Sequence, residues 1–190
     1  MKNIVKTFLV VSTIGIFGIS IQADTTPGTT SKTHSNQASD SSKVWNKTEI
    51  ENFVKKAANG GLFEVQMGDT ASKKATNQQV RNFANRMVTD HSAANQMLHA
   101  AVQGLNVTIP STLEKQYQDQ INRLSKVKAN EFDKEYMNQM VKDHEKDVSE
   151  FEKAEKNLPA GALKTWVSAT LSTIKKHLDM AKSIVANEKK

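Results

Sequence analysis

Apolar residues recur every three or four positions through most of the chain, and the points where that stripe starts and stops mark out its elements. Beyond Val44, Thr48 and Glu51 form a capping box, and Ile50, Phe53, Ala57, Gly61, Glu64, Gly68 and Ala71 follow at helical spacing, predicting helix A. Thr76 with Gln79 opens helix B, whose stripe is Val80, Phe83, Met87, His91, Ala94, Leu98 and Ala101, and Gly104 closes it. A loop with Pro110 leads to a second capping box, Ser111 and Glu114, and a short amphipathic piece with Leu113, Tyr117, Ile121 and Leu124. Helix C runs from about Ala129 to Asn157 through Phe132, Tyr136, Met140, His144, Val148 and Phe151. After Leu158-Pro159-Ala160-Gly161, helix D carries Leu163, Trp166, Thr170, Ile174, His177, Ala181 and Ile184. No stretch alternates with the period of a strand.

Four long helices with one apolar face each are economically buried as a bundle. The A–B and C–D loops are short, which makes those pairs antiparallel. The B–C connection is longer and holds the short helix. It can return the chain along the bundle, so that B and C run parallel in an all-α, ferritin-like four-helix bundle with an extra helix in the crossover. A plain up-down bundle with the short helix folded over one end is the alternative.

The N-terminal part has a different character. Lys2 and Lys6 precede an apolar run from Phe8 to Ile21 that ends in Ile21-Gln22-Ala23, the pattern of a secretory signal peptide over residues 1–23. The run is shorter than the ~20 apolar residues of a spanning helix, so no integral span is expected in the mature protein. Half of residues 24–43 are Ser or Thr, a composition that cannot bury enough surface to order itself and reads as a flexible leader. The bundle domain then occupies 44–190. Export places the protein in the periplasm, where it would be an envelope component or outer-membrane associated.

Composition narrows the chemistry. The 190 residues contain no cysteine, which removes disulfides, thiolate metal sites, cysteine catalysis and a lipidated N-terminal cysteine. Formal charge is +6, and without Lys2 and Lys6 it becomes 24 basic against 20 acidic residues. The lysines spread over helices C and D without interleaved aromatics, so no nucleic acid is expected as a partner. There is no nucleophile motif, phosphate loop or His-Glu-x-x-His, and the reading leans away from an enzyme.

What remains is an interruption in each stripe: Glu64, His91, His144 and His177. His144 lies about 15 residues before the C–D turn and His177 about 16 after it, so a ~1.5 Å rise puts them at one height. Glu64 and His91 match to within about one turn. The four can converge at mid-bundle, where unpaired polar groups each cost a few kcal/mol and must meet each other, water or an ion. Asn85-Arg86-Met87-Val88-Thr89-Asp90-His91 recurs as Asn138-Gln139-Met140-Val141-Lys142-Asp143-His144, identical at five of seven positions. Asp90 and Asp143 point about 100° away from their histidines and suit an orienting role toward a neighbouring helix. Imidazole with carboxylate fits one zinc, iron, manganese or copper ion; Met87 and Met140, on the histidine face, would add thioethers that favour copper. A carboxylate-bridged di-iron centre is excluded because the residues three before the histidines are Val88, Val141 and Ile174.

Asn59-Gly60-Gly61-Leu62-Phe63-Glu64, the two Met-Val-x-Asp-His segments, Glu131-Phe132-Asp133-Lys134-Glu135-Tyr136 and the stretch from Thr170-Leu171 to His177-Leu178 resemble the bacterial exported family called domain of unknown function 4142. The resemblance covers roughly Lys47 to Val185. It implies a ferritin-like fold, matches Glu64, His91, His144 and His177 to the family's characteristic positions, and brings no activity with it. Members are often labelled outer membrane proteins, although no strand pattern here suits a barrel. Two readings follow: a bundle that binds a single transition-metal ion through the Glu/His cluster, or a structural or stress-associated envelope protein whose cluster only fixes helix packing.

Overall fold

The computed structural model describes residues 43–187. The expected signal peptide, most of the Ser/Thr leader and His34 lie outside the described residues. Five helices form: α1 Lys47–Lys74, α2 Gln78–Ala101, α3 Lys115–Ser125, α4 Ala129–Asn157 and α5 Ala162–Asn187. The described residues contain no strand.

Helix starts differ from the sequence pattern by a residue or two, each for a visible reason. The capping box of α1 is Asn46 with Glu49, not Thr48 with Glu51: Asn46 is extended, its side chain accepts from the Glu49 amide, and Glu49 accepts from the Asn46 amide. Trp45 just ahead of it donates its amide to the Asn157 carbonyl at 2.9 Å, which fixes where the chain enters α1. Helix α2 is capped by Asn77 because Thr76 is otherwise engaged. Its amide and hydroxyl, with the Asn77 amide, all donate to the Asp133 carboxylate at 2.7–3.1 Å. Glu114 occupies the N-cap position of α3 without capping it, since its side chain accepts from Asn59 Nδ2 instead. Helix α2 ends at Ala101, and Gly104 adopts its positive φ of 82° in the turn beyond.

These ties give the topology. Trp45 on Asn157 puts the start of α1 beside the end of α4, and Asp133 on Thr76 puts the start of α4 beside the start of α2. Helices α2 and α4 therefore run parallel, and α1 and α5 run opposite to both. Helix α1 packs on α2 and α4, and α5 packs on α4 and α2, so the two parallel pairs lie on the diagonals. Helix α3 lies along the second half of α1, from Asn59 at its start to Lys74, whose ammonium donates to the Ser125 carbonyl. This is the ferritin-like arrangement with the extra helix in the crossover. Asp133→Ala, which frees three donors at the α1–α2 turn, is expected to cost about 2 kcal/mol in urea unfolding, and an unchanged midpoint would contradict that role.

The apolar core has two parts. One gathers Met67, Val80, Phe83, Met87, Phe132, Tyr136 and Met140 near the α1–α2 turn; the other gathers Phe53, Val54, Leu98, Phe151, Trp166, Leu171 and Ile174 at the opposite end. Glu64, His91, His144 and His177 lie at the boundary between them. Glycine allows the close α1–α2 approach there: a Cβ on Gly61 would collide with the Asn95 side chain, and one on Gly68 would meet the Ala84 carbonyl at 2.9 Å.

A buried Glu/His layer as a candidate metal centre

All four stripe interruptions meet in the interior. Glu64, His91, His144 and His177 are 3%, 5%, 0% and 0% exposed, and the three imidazole rings stand 5.2–5.8 Å apart centre to centre. Each ring is held by one nitrogen. His91 Nδ1 is 2.9 Å from Glu64 Oε2; His144 Nδ1 is 2.9 Å from the Met140 carbonyl; His177 Nε2 is 2.9 Å from Asp90 Oδ2. A backbone carbonyl can only accept, so His144 carries its proton on Nδ1, and the carboxylates set the same logic for His91 and His177. The other nitrogens, His91 Nε2, His144 Nε2 and His177 Nδ1, are buried without a partner among the described residues. One nitrogen from each ring lies within 4.8 Å of one from each of the others.

The two halves of the repeated segment thus do different things. Arg86 and Gln139, one of the two changed positions, each bond the Asp four residues later, at 2.7 and 2.9 Å. Asp90 then reaches across to His177, whereas Asp143 stays with Gln139 beside Glu64. Met87 and Met140 are fully buried in the core cluster one turn before their histidines. His99 is exposed.

Burial governs the electrostatics. It lowers His91, His144 and His177 to about 4; the Glu64 charge opposes this at His144 and the Asp90 hydrogen bond opposes it at His177. Glu64 is raised to about 7 by burial, against the pull of His144 and with the push of Asp143. Asp90 is raised by burial too, but its bonds to Arg86 and His177 outweigh that and leave it below the ordinary range. Neutral imidazoles at physiological pH are the form that ligates metals.

Two groups that the sequence reading did not place in the layer also belong here. Tyr136 reads as core aromatic, two turns before His144, yet its hydroxyl is buried and partnerless, and burial with the nearby Glu64 raises its pKa. Asp147 reads as a surface acid, although its place three residues after His144 on the same face was a usable signal. Burial, with Glu64 and Asp143, holds its carboxyl well above the usual range.

Fold and layer together define a ferritin-like helical bundle with a buried three-histidine cluster that could hold a metal ion. The chain belongs to the family described as Domain of unknown function (DUF4142), whose model matches residues 32–184. No curated protein and no solved structure matches the chain.

Proposed function

We propose that this bundle binds one divalent transition-metal ion through His91 Nε2, His144 Nε2 and His177 Nδ1, and that it does so as an exported, periplasmic envelope protein. The observation that carries the metal reading is the set of three partnerless, buried ring nitrogens whose opposite nitrogens are each tied to an acceptor. A packing-only cluster would satisfy its polar groups, because each one left unmade costs roughly 1–3 kcal/mol. Glu64 and Asp90 serve this reading as the carboxylates that orient His91 and His177, which keeps Glu64 on a ring rather than on the ion. Three neutral imidazoles suit zinc, copper or iron(II) better than the harder manganese. A tetrahedral ion with bonds of ~2.1 Å wants donors ~3.4 Å apart, which modest side-chain rotation supplies. The export reading rests on the charged-then-apolar pattern of residues 1–23.

Calorimetric titration of the purified protein with zinc tests the metal reading, one equivalent being expected and no stoichiometric uptake overturning it. In the same experiment Asp90→Ala, which releases the His177 ring, is expected to weaken affinity 10–100-fold.

A further inference from the structure

A buried centre needs a way in, and one side of this bundle provides it. A cavity of about 260 Å³, partly open to solvent, is lined by Glu64 and His91 at its inner end. Gly60 belongs to its wall, where a side chain would meet nothing within 4 Å. Acidic groups outnumber basic ones around it: Glu64, Glu114, Asp147 and Glu150 face Lys56 and Lys146. Two of these are partly spoken for. Glu150 lies 3.9 Å from Lys56, and Glu114 accepts from Asn59. Asp147 and Glu64 are left as the inward pair, and Glu64 Oε1 is a buried oxygen without a hydrogen bond, 3.5 Å from His144 Nδ1.

Resting on the metal reading above, we infer that this cavity is the loading vestibule of the centre: Asp147 and Glu64 Oε1 draw a divalent cation in from solvent and pass it to the three imidazoles. The chemistry is that of a hard, exchangeable oxygen site leading to a nitrogen site. Carboxylates hold a partly hydrated cation and release it readily, while imidazoles hold it longer. A cleft with an excess of acidic groups and apolar walls, here Phe53, Phe151, Trp166 and Ile174, focuses the field on an entering cation and raises its on-rate.

Stopped-flow mixing of cobalt(II) with the purified protein tests this, because the visible bands of the bound ion report both rate and final amount. Asp147→Asn is expected to lower the second-order rate about tenfold and to flatten its dependence on salt, with the final amplitude unchanged. Glu155→Gln, which removes a half-buried charge on α4 from outside the lining, should leave the rate within twofold of wild type. Rates for Asp147→Asn equal to wild type at every salt concentration would overturn the vestibule while leaving the metal centre standing. A wild-type protein that develops no cobalt bands would overturn the centre itself, and the vestibule with it. Circular dichroism of Asp147→Asn separates a slow site from a misfolded one; should that variant not fold, Asp147→Ser takes its place with the same expectations.

Discussion

His144→Ala is expected to abolish stoichiometric metal binding and, with it, any gain in thermal stability on adding metal. The side chain is fully buried, its Nδ1 is tied to the Met140 carbonyl, and its Nε2 is buried without a hydrogen-bond partner among the described residues. In the wild type, zinc at a hundred times its Kd contributes about 2.7 kcal/mol, which for a domain of this size raises Tm by roughly 5–10 °C. The alanine variant should show no such rise. Without metal the variant also loses about 2–4 kcal/mol to the cavity it creates, and comparing both proteins with and without zinc separates the two effects. A Tm lowered equally in both conditions would favour the packing-only reading. The pH dependence has a definite sign. Protons compete with the ion for the ring nitrogens, so binding is present above the folded-state pKa and is lost as pH falls through it. Because burial lowers all three rings to about 4, zinc should be retained from pH 7 to about 5 and released toward 4. Release already complete at pH 6, as for exposed imidazoles, would contradict the neutral, buried triad.

Phe132→Ala is expected to be the most destabilising change outside the polar layer. Its ring is 0% exposed and stacks on Tyr136 at 6.2 Å with planes 8° apart, while the Lys74 ammonium lies 5.2 Å from its centroid. Truncating a buried phenylalanine costs about 3–5 kcal/mol, a large part of the stability of any single domain. Urea unfolding measures it, with Phe132→Leu as the volume-sparing control at about 1 kcal/mol. A loss below 1 kcal/mol for the alanine would mean that the core closes over the gap, which its place in a closely packed cluster argues against.

Much of this protein was legible from periodicity alone. The long α4 begins and ends where its stripe does, because both features come from one amphipathic face meeting one core. Counting residues from the two turns put His144 and His177 at one level and Glu64 and His91 within about one turn of each other, since helices of fixed rise joined by short loops leave little freedom. Caps were less legible. Asn46 and Thr48 both suit an N-cap, and the contact that decides between them, Trp45 on Asn157, joins residues far apart in sequence. The division of labour at the centre was also hidden. Whether Glu64 reaches into the layer or turns to His91 Nδ1 is a matter of side-chain rotation, which spacing does not encode. Asp133, in the middle of a charged run, gave no sign that it holds the α1–α2 turn. Asp147 hid for the same reason, one acid among many on a helix rich in them.

The diagonal placement of the parallel helices gives the repeated segment a geometric meaning. A pseudo-two-fold axis along the bundle exchanges α2 with α4 and α1 with α5, and it carries one Asp-His pair onto the other. Under that rotation His177 corresponds to Glu64. Asp90 therefore looks at an imidazole and bonds to it, whereas Asp143 looks at a second acid and raises that acid's hold on its proton. The bundle is a near-symmetric frame in which an acid stands where its counterpart is an imidazole, and that acid faces the cavity side. On the proposed metal reading, the half with His177 anchors a ring and the half with Glu64 is the one that would receive a cation.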